Sequence, residues 1–195
     1  MSPKIFIYQT AQDDPKKCSG TRMIRYGFAA PVYRLGRFHK RPIILDPFAS
    51  NLLNHSDKEY AIARGILVVD CSWSRVEEVF PTSLEGLRRR LPPLLAANPV
   101  NFAQLGKLSS LEAVAASLYI LGFKEPATRV LNIIKWGPRF LELNQEPLEA
   151  YRTSTSQEEL VKAAEEFFPR SKWNYWQLIN LQSPRRLSRD KSTRI

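Results

Sequence analysis

A chain of 195 residues with 44% hydrophobic content can bury one substantial core or two small ones. Its 29 basic and 19 acidic residues leave a formal charge of +10, which attracts polyanions and makes nucleic acid the expected partner. The longest apolar runs (residues 43–45 and 66–69) cannot span a bilayer, residues 1–10 lack a signal-peptide core, and Cys18 and Cys71 make neither a disulfide framework nor zinc spacing with the two histidines. A reducing, cytoplasmic protein with free thiols and no membrane partner is the expectation.

Residues 4–8 predict a short strand, and a loop-like basic segment follows. From Asp13 to Arg41 eight basic residues stand against two acidic ones. "RPIILDPF" reads as a second strand, stopped at Asp46-Pro47 because proline cannot continue a ladder. Residues 57–63 suit a short helix. Residues 65–69 are apolar on both faces, as in the middle of a parallel sheet covered by helices. Residues 72–80 read as helical, with Ser72 as cap. Residues 84–91 read as another helix carrying Arg88, Arg89 and Arg90 in succession, and "LPPLLAANPVN" as a fourth strand broken by proline at both ends. "KLSSLEAVAASLYILGF" is the clearest helix, with Ser109 and Glu112 as a capping box and a surface rich in Ala. Residues 124–150 give one or two helices interrupted near Gly137-Pro138, and Ser156 with Glu159 opens another. Residues 184–195 carry five basic residues and one acid, a tail expected to be mobile unless a partner orders it. Alternating strands and helices followed by helices alone predict an α/β fold with a helical C-terminal layer.

No Gly-rich phosphate loop, nucleophile elbow or HExxH motif is present. His39 and His55 read as surface residues, and Cys71 as inert, since no base is arranged to lower its pKa. What remains is a set of strand ends: Asp46-Pro47, Asp70 to Trp73, and residues 91–101. Ligands of open α/β sheets bind outside the carboxyl ends of strands. A pocket walled by Leu45, Pro47, Trp73, Leu94 and the Ala-rich helix suits a flat apolar ring such as adenine. Taken singly, Trp73 and Leu94 are equally well ordinary core residues.

Five stretches, "DPKKCSGTRM", "ILVVDCSWSR", "LPPLLAANPVNF", "KLSSLEAVAASLYILGF" and "IIKWGPRFLELNQEPLEAY", occur in this order. Together they resemble the aminocarboxypropyltransferases that finish a hypermodified pseudouridine in small-subunit ribosomal RNA, over roughly residues 3–153. The resemblance implies a SPOUT-like knotted parallel sheet: an N-terminal α/β region (1–65), a donor-binding region (66–153), and a helix with a basic tail (154–195). It implies S-adenosylmethionine as group donor, giving its 3-amino-3-carboxypropyl group to N3 of an N1-methylpseudouridine in rRNA or a pre-ribosomal subunit, and a monomer. A SPOUT-type RNA methyltransferase and a non-catalytic ribosome-assembly factor are the alternatives.

Carried over by motif, Ser19 belongs at the amino-acid arm of the donor, Val69 and Leu94 at ribose and adenine, Leu108 and Glu112 where the pocket closes, and Leu45, Pro47 and Ala115 against adenine. Trp73 is the expected wall against the donor methyl, since an indole face tolerates a sulfonium. Asp70 has two open roles, proton acceptor for the imide nitrogen or cap of the following helix. RNA contact is expected from Lys17, Arg22 and Arg25 beside Ser19, and from Arg88, Arg89 and Arg90, whose bland alternative is a solvated charged face.

Overall fold

The computed structural model describes residues 1–10, 18–35, 38–80 and 84–173. Lys17 and the basic tail of residues 184–195 lie outside the described residues. Five strands form one sheet in the order β2-β1-β4-β3-β5, every pair parallel: β1 (Ile5–Gln9), β2 (Ala30–Val32), β3 (Ile43–Leu45), β4 (Ile66–Asp70) and β5 (Leu87–Arg89). The apolar run of residues 66–69 is the central strand, as its pattern requires. The boundary expected at residue 65 falls between β3 and β4, two neighbouring strands of this sheet.

The pleat sorts side chains by the strand period of two. Ile5, Ile7, Ile43, Leu45, Ile66 and Val68 point to one face and join the larger core. Phe6, Ile44, Leu67 and Val69 point to the other and join a smaller cluster with Val76, Phe80 and Leu84. Met23 of α1 (Ser19–Arg25), Ala61 of α2 (Lys58–Arg64) and most of α4 (Ser110–Ile120) belong to the larger core. The smaller face meets a 3₁₀ turn (Trp73–Arg75) running into α3 (Val76–Val79).

The capping box of α4 is formed: Ser109 accepts from Glu112 N, and Glu112 accepts from Ser109 N. The helix is buried nearly all round, as an Ala-rich surface permits. It packs against α5 (Lys124–Leu131) and α6 (Gly137–Thr153). Then come α7 (Gln157–Phe167), capped by Ser156, and the short α8 (Arg170–Trp173).

Four expectations are corrected. The segment after "DPKK" contains a helix, α1, with Cys18 as cap. Residues 84–91 contain the edge strand β5, because Arg88 and Arg89 each reach an acid made buried elsewhere in the fold. Arg88 binds Asp46 at 2.7 Å and Arg89 binds Asp57 at 2.9 Å. Residues 91–101 form no strand among their described neighbours beyond an isolated bridge, Leu95 to Leu105. Side-chain amides replace the ladder there. Asn144 accepts from Leu95 N at 2.7 Å and donates to Leu95 O at 2.9 Å, and Gln157 pairs in the same way with Leu52 N and O. His55 is no free surface residue either, since its Nδ1 lies 3.3 Å from Ile120 O.

Candidate active site

Because β1, β4 and β3 are parallel and adjacent, their carboxyl ends open on one edge of the sheet. There a cavity of about 950 Å³ is enclosed, within the range of small-molecule sites. Its apolar wall comes from Leu45, Pro47, Val69, Trp73, Phe80, Leu91, Pro92 and Leu108. Trp73 is fixed, its indole N–H donating to Leu108 O at 2.8 Å. The polar wall comes from Cys18, Ser19, Asp70 and Ser110, where α1 and α4 converge. Ser19 Oγ accepts from Leu111 N at 3.3 Å and joins the two helices.

Asp70 lies at this junction. Gln9 is its partner in β1, and Thr10 donates to its carbonyl through N and Oγ1. Its carboxylate accepts from the Cys18 thiol on one oxygen and from the Ser110 hydroxyl on the other. Gly20 allows this approach: a Cβ there would stand 2.4 Å from Asp70 Oδ2. Asp70 therefore caps no following helix. Ser72 begins the 3₁₀ turn, and the Asp70 side chain serves α1 and α4 instead. Burial, and then the bond to Asp70, push the Cys18 thiol pKa up, so Cys18 stays a neutral donor.

The other strand-end acid behaves differently. Asp46 is 2% exposed, pairs with Arg88, and accepts from Phe48 N at 2.8 Å. Arg88 and Arg89 are thus internal counterions. They form no solvated cluster and do not line the cavity, unlike the charged face that the arginine run suggested. Arg90, the third of the run, does line the cavity. It has no carboxylate partner among the described residues, and burial lowers its pKa. Arg22 also lines the cavity, whereas Arg25 is exposed outside it.

Leu94, Glu112 and Ala115 are each 0% exposed and stand behind the wall. Glu112 supports it: its carboxylate accepts from Ala97 N, Asn98 N, Asn98 Nδ2 and Ser109 N, at 2.6 to 3.0 Å. Four donors on one buried acid hold the loop of residues 96–101 against α4. Leu94 contributes a carbonyl to Gly106 N within the same loop. Ala113, two residues nearer the α4 N-terminus than the expected Ala115, is the α4 alanine that reaches the surface of the cavity.

A family model described as "Ribosome biogenesis protein, C-terminal" matches residues 43–168. A second, "Possible Fer4-like domain in RNase L inhibitor, RLI", matches residues 3–37. That segment holds one cysteine, Cys18, too few for an iron–sulfur cluster held by four thiolates. A curated protein of Methanosarcina mazei, "16S rRNA aminocarboxypropyltransferase", is 48% identical over 161 residues, 81% of this chain and 91% of that one. The protein of the same name from Vulcanisaeta distributa is 45% identical over 153 residues, 77% and 83% of the two chains. The chain belongs to the 16S rRNA aminocarboxypropyltransferase family. A solved structure, the SAM-dependent rRNA:acp-transferase Tsr3 from Vulcanisaeta distributa, superposes with a TM-score of 0.77 at 39% identity, covering 93% of this chain and 98% of that one.

Within this aminocarboxypropyltransferase, sequence reasoning passed over Cys18, Ser110, Trp136, Lys107, Lys172 and Trp173, all of which line the cavity. Cys18 and Trp136 stood inside motifs that carried the resemblance, "DPKKCSGTRM" and "IIKWGPRF", and that was the available signal. No group of three or more metal-ligating side chains occurs among the described residues, and no helix among them is long and apolar enough to cross a membrane.

Proposed function

We propose that this chain transfers the 3-amino-3-carboxypropyl group of S-adenosylmethionine to N3 of an N1-methylpseudouridine in small-subunit ribosomal RNA, during ribosome biogenesis. The observation that carries it is the placement of Asp70. A carboxylate held, among the described residues, by two neutral donors faces a cavity with an apolar wall that includes a fixed indole. The reaction forms a bond from the imide nitrogen to the terminal carbon of the arm, breaks the carbon–sulfur bond with its electron pair left on sulfur, and releases the imide proton.

Each residue has a part in that reading. Leu45, Pro47, Val69 and Leu108 hold the adenosine end. Trp73 covers the methyl group, so that carbon is kept from the nucleophile and the arm is the carbon in line. Ser19 orients the arm. Asp70 takes the imide proton, its geometry preset by Cys18 and Ser110. Arg22 and Arg90 meet RNA phosphates at the mouth, with Arg25 extending the basic surface. Leu94, Glu112 and Ala115 shape the wall from behind. The same reading includes a SPOUT-like knot in the parallel sheet; the turn of residues 96–106 after β5 and the bond from the Trp73 indole to Leu108 O just before α4 are compatible with it. It also includes a monomer acting in the cytoplasm.

The test uses RNA substrate and donor labelled separately in the carboxyl and methyl positions. Transfer of carboxyl label alone is expected. Methyl label alone makes the chain a methyltransferase, and RNA bound with neither label transferred makes it an assembly factor.

A further inference from the structure

The donor-side residues account for one part of the cavity. Another part of its wall is built by the last helices. Ile134 and Trp136, at the junction of α5 and α6, line it together with Lys172 and Trp173 of α8. Residues 169–173 lie beyond the segment that the family model matches.

Both tryptophans are held in place. Gly137 packs so closely on the end of α5 that a Cβ would lie 1.9 Å from Leu131 O, and this sets Trp136 as the residue preceding α6. The Trp173 indole donates to Phe168 O at 2.8 Å, which fixes its ring. The half-buried Trp136 has an indole N–H with no partner among the described residues. Lys172 is exposed and has no acidic partner among them. Arg22, Arg90, Lys107 and Lys172 line the cavity against two acids, of which Asp46 is paired with Arg88, so the mouth is cationic.

We infer that Trp136, Trp173 and Lys172 seat the acceptor nucleotide, a role that rests on the transferase reading above. A base withdrawn from its stack loses aromatic contact, and the Trp173 indole face replaces it, with Trp136 at the edge of the base. The reacting imide nitrogen lies between two carbonyl groups. As it loses its proton to Asp70, negative charge spreads onto those oxygens, and the open Trp136 N–H is a donor for one of them. Lys172 meets the phosphate of the same nucleotide.

Zero-length ultraviolet crosslinking of an RNA oligonucleotide to the wild-type chain, mapped by mass spectrometry, is expected to mark Trp136 or Trp173. Crosslinks confined to other peptides, or none while RNA is bound, overturn the assignment. Trp136→Leu and Trp173→Leu are each expected to lower kcat/KM for RNA by about 10- to 100-fold, the first through a lost hydrogen bond to a charged acceptor and the second through the lost stacking of one base, with donor Kd within about twofold; Trp173→Phe is expected to recover most of its loss. Donor Kd rising in parallel, or Leu and Phe variants behaving alike, places the indoles in ordinary packing. Lys172→Ala is expected to lower the log–log salt slope of RNA binding by about 0.7. Crosslinking reads the seat whichever group is transferred, so methyl transfer by the wild-type chain would sink the proposed function and leave a Trp136 or Trp173 crosslink standing.

Discussion

Asp46 and Asp70 end adjacent parallel strands, line one cavity, and have opposite fates. Asp46 is nearly inaccessible and is matched by a guanidinium and a backbone N–H. Asp70 is half-buried and is matched by a thiol and a hydroxyl. A cation partner cancels charge and makes an acid structural. Neutral donors fix the geometry of an acid and leave its charge available to a substrate. Sequence position alone made the two look alike, and only their partners separate them.

That contrast can be broken in steps. The largest effect is expected from Asp70→Asn: carboxyl-label transfer falls by about 10²- to 10⁴-fold, the range for a lost general base, while the melting temperature stays within a few degrees. Near-wild-type turnover would remove Asp70 from the chemistry. Asp46→Ala is expected to do the reverse. Removing the buried acid that pairs with Arg88 costs about 3 kcal/mol of unfolding free energy by denaturant titration, with transfer at saturating substrates retained in the folded fraction. Ser110→Ala removes one hydrogen bond to a charged acceptor, worth about 1.5 kcal/mol, so transfer is expected to drop about tenfold. Arg90 and Arg89 sharpen the same point for cations. Arg90→Ala lowers the salt slope of RNA binding by about 0.7, and Arg89→Ala leaves that slope alone and destabilises the fold.

The smallest effect belongs to a third acid, Glu149, bound by Lys124, Tyr119 and Arg152 at the edge of α6. The Lys124 ammonium, helped by Tyr119, holds its carboxyl down at about 2, and burial, helped by Glu149, pushes Tyr119 up to about 12. A folded pKa below the unfolded one contributes stability above the usual 4.5 that is lost as pH falls toward 2. A raised one, as in Tyr119, contributes below pH 10 and is lost as pH climbs through 12. Melting curves of wild type and Glu149→Gln are expected to diverge at neutral pH and converge below pH 3, because the variant lacks the acid-sensitive portion.

Local chemistry was legible wherever it was decided locally. The run of residues 66–69 has no polar face and could only be a central strand, and Ser109 with Glu112 announces the start of α4 within four residues. What could not be read depends on partners far away in the chain. Three successive arginines look like a helix face until Asp46 and Asp57 are known to lie on either side of them. "LPPLLAANPVN" looks like a strand, but its neighbours are amide and phenol groups from α6, Asn144 on Leu95 and Tyr151 on Pro93. The short helix α1 has a cysteine for a cap and a glycine in its first turn, neither a helix signal, and it exists because Asp70 and α4 receive it. The cavity was legible from the strand ends; the tryptophans of its far side were not, because they follow the last strand by some fifty residues or more.

The two side-chain amides that stand in for missing strands have a consequence for biosynthesis. Leu95 is positioned by Asn144 and Leu52 by Gln157, residues separated from their partners by 49 and 105 positions. A nascent chain emerging from the ribosome can pair its five strands well before α6 and α7 have been made. Until then the walls carrying Leu52 and residues 91–106 have no fixed height, and the donor has no finished pocket to enter. Competence to bind it is acquired late in translation, after the sheet has formed.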